Sequence, residues 1–266
     1  MDETRSILTQ SVVLTGAAIL AVLGIFGAYY WYDHRAVPAP VTASPAPPPA
    51  APATAVAQGP DHPIDDRDAD HVTPLDQSDS AFLDALSRVS GWNAQILQML
   101  LPGHLIRHIV ATVDALPREK LPIGALPTKP VPGSLRVNAQ GTGNVIAVAN
   151  SHRYEPLVNA VGALDMAALA GVYRHFYPLF QQAYRELGYP KANFNDRLVE
   201  VIDDLLEAPE PKGAVEVVAP GVLYHFVDAD LESLPAGQKI LVRMGEANEK
   251  TVKQKLREFR KAVAAS

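Results

Sequence analysis

Residues 11–32 run SVVLTGAAILAVLGIFGAYYWY and carry no charged side chain. A bilayer core about 30 Å thick takes roughly 20 apolar residues at the rise of an α-helix. The stretch has that length and stays apolar on every helical face, which helices packed in a water-exposed domain rarely do. Tyr29, Tyr30, Trp31 and Tyr32 close it with rings suited to the headgroup level. Gly24 and Ala28, with Gly27 between them, repeat a small-residue spacing that supports helix pairing. A cleaved signal peptide has a shorter apolar region and a small-residue cleavage site. Here aromatic residues stand where cleavage would fall, and the absence of cysteine excludes lipoprotein attachment. The stretch is expected to be an uncleaved transmembrane helix. Arg5 lies on one side, His34 and Arg35 on the other, so charge alone favours a cytoplasmic N-terminus only slightly. The Lys/Arg-poor segment that follows adds to that preference.

Residues 36–60 hold eight prolines among 25 residues, nearly all the rest being Ala, Val and Thr. Such a composition cannot bury a core and samples polyproline II. Residues 61–79 turn acidic, with seven Asp against Arg67. Asp66, Asp68 and Asp70 imitate the start of a calcium loop, but His71 stands where the turn needs glycine and Gln77 where it needs glutamate. The expected organisation is a tail at 1–10, a transmembrane helix at 11–32, a disordered tether at 33–79 and a globular domain at 80–266. Of 23 basic and 29 acidic residues, 20 and 19 fall within 80–266, so the acidic balance belongs to the tether. A near-neutral domain does not call for a nucleic-acid partner.

Within the domain, Phe82, Leu86 and Val89, then residues 96–101, then Leu105, Ile106, Ile109, Val110 and Val113 fall at helical spacing. Residues 134–138 and 144–149 read as strands of a hairpin about Gly141-Thr142-Gly143. Helices are expected at 154–161, from an Asp165 cap to Leu187, and at 196–207, with Pro178 kinking or splitting the second. Strands return at 214–218 and 222–227, and helices at 236–244 and 246–264. The fold class is α+β: a predominantly helical soluble domain with a small antiparallel sheet, behind the transmembrane helix.

LIRHIVATVDAL (105–116), YPLFQQAYRELGYP (177–190), FNDRL (194–198) and AGQKILVRMG (236–245) together resemble a bacterial family described only as a domain of unknown function. The resemblance runs from about residue 75 to the end. Its members carry that domain behind one N-terminal anchor and a low-complexity tether. It implies domain extent and no mechanism.

Chemistry-bearing residues are few. His104 and His108 share a helix face at a two-histidine metal spacing, but no glutamate stands between them, and a solvated pair is the simpler reading. Glu200, Asp203, Asp204 and Glu207 form an acidic stripe opposite Leu198, Ile202 and Leu205, as a solvated face does. Tyr173, Phe176, Tyr177, Phe180 and Tyr184 follow core spacing. On the last helix, the basic face that includes Lys253 is expected in solvent. The binding candidates are Asn193, Asn195, Asp196 and Arg197, with Gln238, Lys239 and Arg243 on a later helix. Capping explains the asparagines and Asp196 but not Arg197, and a structural polar network is preferred to a ligand site. No residue pattern calls for a metal or a cofactor.

The expectation is a single-pass protein of the bacterial inner membrane, N-terminus cytoplasmic and domain periplasmic. It is held to the membrane by residues 11–32 and acts as a non-enzymatic binding or scaffold module for an envelope protein or polymer. An envelope hydrolase with an unrecognised carboxylate or histidine site is the alternative.

Overall fold

Apolar residues at i, i+3, i+4, i+7 and i+11 in residues 173–184 require a helix with one buried face, and that helix is the centre of the fold. The computed structural model describes residues 60–64 and 73–264, apart from Pro102, Ile123, Ala125, Thr142 and Val222. The expected membrane span, the Pro/Ala-rich segment and Asp66, Asp68 and Asp70 lie outside the described residues.

A 3-10 turn, Leu75–Gln77, leads into α1 (Asp79–Ser87), α2 (Ala94–Met99) and α3 (Leu105–Ala115). Strands β1 (Val137–Gln140) and β2 (Gly143–Ile146) follow, then α4 (Val148–Ser151), α5 (Glu155–Gly162), α6 (Met166–Glu186) and α7 (Phe194–Leu206). The chain closes with β3 (Glu216–Val218), β4 (His225–Phe226), α8 (Ala229–Ser233), α9 (Ala236–Met244) and α10 (Glu246–Ala264). The protein is predominantly helical with a four-stranded antiparallel sheet in the order β1-β2-β3-β4.

Helix α6 starts where Asp165 accepts from the amides of Ala167 and Ala168, at 2.9 and 3.0 Å. That cap satisfies two of the donors every helix start leaves over. All five aromatic residues of its stripe are buried. Helices α3, α7 and α10 pack against it, and α1 delivers Phe82 edge-on to Phe176 and Phe180 at 5.2 and 5.7 Å between centroids. A smaller core of Val217, Phe226 and Val242 fixes the sheet to α9.

Several local expectations are revised. Pro178 neither splits nor ends α6, which runs unbroken from Met166 to Glu186. Buried rings on both sides of it, Tyr173 and Phe176 before and Phe180 and Tyr184 after, hold both halves to one core. Strand β2 stops at Ile146, before the expected 149. There Asn150, fully buried in α4, accepts from the Arg136 amide (3.2 Å) and donates to the Arg243 carbonyl (2.8 Å). His104 does not lie on the helix with His108. It is the left-handed residue ahead of α3, with φ 52°. Lys253 is buried rather than solvated, its ammonium donating to the Ala208 carbonyl and pairing with Glu210 and Glu249.

Among the described residues no single helix is long and apolar enough to cross a membrane. Helices α5 and α6, bent by 83° where they meet, would pass together on composition, but their apolar faces form the core.

Phe82 joins the segment before α3 to the α6 rings. Phe82→Ala is expected to lower the unfolding free energy by about 3–5 kcal/mol. Urea denaturation followed by far-ultraviolet circular dichroism checks this, and a loss under 1 kcal/mol would mean that α1 is not part of the cooperative core.

Candidate functional site

The seven binding candidates fall into separate polar groups. At the start of α7, Asn193 occupies the cap position without a capping bond from its side chain. The Phe194 amide is instead satisfied by Gln181 Oε1 from α6 at 2.8 Å. Asn195 points inward: its amide nitrogen donates to the carbonyls of His62 and Val263, and its oxygen accepts from the Tyr173 hydroxyl. Asp196 accepts from the His62 amide at 2.7 Å.

Arg197, the residue that capping left unexplained, reaches across to α3. Its Nε donates to Asp114 Oδ1 (3.2 Å) and its Nη2 to the Asp114 carbonyl (3.0 Å), while Nη1 pairs with Glu200. The Asp114 carboxylate is 4 % exposed and also receives Arg118 and the Tyr189 hydroxyl. An isolated carboxylate at that depth is costly, and these bonds compensate it. Asp114 was missed from sequence, although a charge flanked by Val113 and Ala115 on a buried face was a signal that a partner must exist.

Helix α9 carries the other three. Gln238 donates to the Asp204 carbonyl and carboxylate at 2.7 and 3.0 Å. Burial pushes the Asp204 carboxyl above its ordinary value. Lys239 pairs with Glu232, which also bonds His225 and the Phe226 amide. Arg243 is buried over the Phe226 ring, 4.5 Å from its centroid, and donates to the Tyr224 carbonyl. Asp203, from the acidic stripe, pairs with Arg260 of α10.

A cleft lies apart from these groups. Shallow and about 330 Å³ in volume, it separates the start of α3 from the end of α6. Ala111, Ala183 and Leu187 give it apolar walls, and His104, Arg107 and His108 face Glu186 across it. Arg107 pairs with Glu186 and, at 2.9 Å, with Asp76. The guanidinium is thus neutralised by two carboxylates, while the imidazoles and apolar walls border open space. Such a surface suits recognition of a small apolar group with polar edges. Arg107 and Glu186 were not legible as site residues, because 79 positions and a fold separate them. The histidine spacing was visible, but its meaning as a cleft edge was not.

Beside the Asp114 group, burial and the Asp114 charge push the Tyr184 hydroxyl up to about 12. A raised folded value means that the neutral phenol is favoured by folding. That stability is complete below the ordinary tyrosine value near 10 and is lost as pH rises toward about 12. Unfolding free energy is expected to fall across this window, less steeply in Tyr184→Phe. Denaturant titrations at several pH values, with phenolate absorbance at 295 nm, check it, and identical slopes in the two proteins would refute the assignment.

The family model described as "Protein of unknown function (DUF3014)" matches residues 105–260. No curated protein and no solved structure matches the chain. The matched span begins at the first residue of α3 and ends within α10, so it contains the α3 and α6 walls of the cleft, all four strands and the Asp114–Arg197 pair. It covers more than half of the sequence, and the chain belongs to the DUF3014 family of proteins of unknown function.

Proposed function

We propose that this protein is a membrane-anchored module of the bacterial cell envelope that binds a protein or polymer partner without transforming it. The carrying observation is how the charged groups are used. Asp114, Arg197, Glu249 and Lys253 are bonded within the fold, whereas the open cleft has apolar walls and imidazole edges. Recognition needs shape, apolar area and a few polar groups, which the cleft has. The anchor is residues 11–32, supported by their length and lack of charge. The Lys/Arg-poor segment that follows supports a cytoplasmic N-terminus and a periplasmic domain.

His104 and His108 at the cleft are what a hydrolase reading would build on. Against it, the cleft carboxylate Glu186 is committed to Arg107, and a histidine base needs an orienting partner.

Fusions of alkaline phosphatase and of a fluorescent protein after Ser266 test the placement. Phosphatase activity without fluorescence is the expected result, and the reverse would sink the periplasmic reading. For the cleft, a photo-crosslinking residue at Leu187 is expected to give a discrete adduct in cells that is absent when it replaces Lys261. Equal labelling at both positions would remove the cleft as the binding face.

A further inference from the structure

Residues 60–64 read Pro-Asp-His-Pro-Ile. Proline fixes its own φ and pushes the residue before it to an extended backbone. His62, ahead of Pro63, has its backbone restricted by its neighbour, and the chain bends at Asp61 and His62.

The start of α7 receives this segment by its main chain. The His62 amide donates to Asp196 Oδ1 at 2.7 Å, and the His62 carbonyl accepts from Asn195 Nδ2 at 2.8 Å. Two adjacent side chains thus contact the donor and the acceptor of one residue. Ile64, two residues on, packs against the main core. The receptor is built rather than incidental. Asn195 is fully buried, its nitrogen also donates to the Val263 carbonyl at 3.1 Å, and its oxygen accepts from Tyr173 at 3.1 Å. Removing the segment would take a partner from a buried amide, which is unfavourable.

We propose that Asn195 and Asp196 form a clamp for the main chain of a proline-flanked segment, and that this chain's own residues 60–64 are its occupant. The polypeptide preceding the domain therefore leaves from the junction of α7 with the end of α10, not from the 3-10 turn at Leu75. Recognition is by main chain, with selectivity coming from the prolines and from Ile64. Where the anchor reading holds, the clamp also sets the point on the domain at which the tether to the membrane attaches, and that consequence alone rests on the anchor reading.

The chain has no cysteine, so two introduced ones can be labelled cleanly. Asp61→Cys and Lys261→Cys, both at exposed positions, carry spin labels in the purified full-length chain in detergent, and the distance between them is measured by pulsed electron resonance. A single narrow distribution is expected. His62→Pro removes the amide that Asp196 accepts while leaving the domain untouched, and Asp196→Ala removes the acceptor. In either variant the narrow distribution is expected to be lost, with thermal melting showing that the domain stays folded. A broad distribution in the parent, or a narrow one kept in both variants, overturns the clamp. Dilution with excess unlabelled chain is expected to change nothing. If it abolishes the distance, the occupant belongs to a second copy and occupancy by the same chain is wrong. The fusion experiments read only the compartment, so the anchor reading can fail while the clamp stands.

Discussion

Burial of one aromatic stripe along α6 is the constraint on which the other layers depend. Tyr173 alone meets Phe180, Phe194 and Phe259 within 6.4 Å between centroids, so the central helix, α7 and α10 share one set of rings. Edge-to-face packing of this kind adds about 0.5–1.5 kcal/mol per pair beyond the area buried. It also makes the arrangement directional, since a ring accepts an edge only at particular angles. The Tyr173 hydroxyl then needs a partner at that depth, which is why Asn195 stands where it does.

Polar groups in this fold act mainly as joints between elements distant in sequence. Helix α3 has its first amide satisfied by Asp79 of α1, and α7 by Gln181 of α6. Asn150 bonds the chain ahead of the hairpin to the end of α9, and Asn248 bonds the carbonyls of Ser151 and Met244. Each joint satisfies main-chain groups that would otherwise be buried without a partner, at about 1–3 kcal/mol apiece. Glu249 and Lys253 follow the same logic with charge. Burial raises the Glu249 carboxyl above its ordinary value, and Lys253 opposes that shift. A functional reading based on polar residue types alone therefore meets a fold that employs most of those residues internally. The cleft between α3 and α6 offers open space among the described residues, whereas the clamp at the start of α7 is filled by residues 60–64.

Much of the helical framework was legible in the residues themselves. The spacing in 105–113 and 173–184, the Asp165 cap and the limits of α9 and α10 all follow from local pattern, because helix periodicity and capping are properties of a few consecutive residues. The hairpin about Gly141 was legible for the same reason. Pro178 shows where local rules yield: its missing donor disfavours a continuous helix, but rings buried on both sides keep one. Lys253 shows the converse, a cation on a charged face drawn inward because Glu249 and Glu210 meet it there.

Sequence by itself determined the longer helices, the hairpin about Gly141, the near-neutral charge of residues 80–266 and the membership of Tyr173, Phe176 and Phe180 in a core. These rest on periodicity and composition, which no distant contact is needed to read, whereas the pairing of β2 with β3 joins residues 73 positions apart. Only the tertiary structure decided which polar residues meet. Arg197 finds Asp114 across 83 positions, Arg107 finds Glu186 across 79, and His62 finds Asn195 across 133. Their bonds depend on the packing of whole helices about α6, and no local pattern encodes the distance between side chains that far apart in the chain.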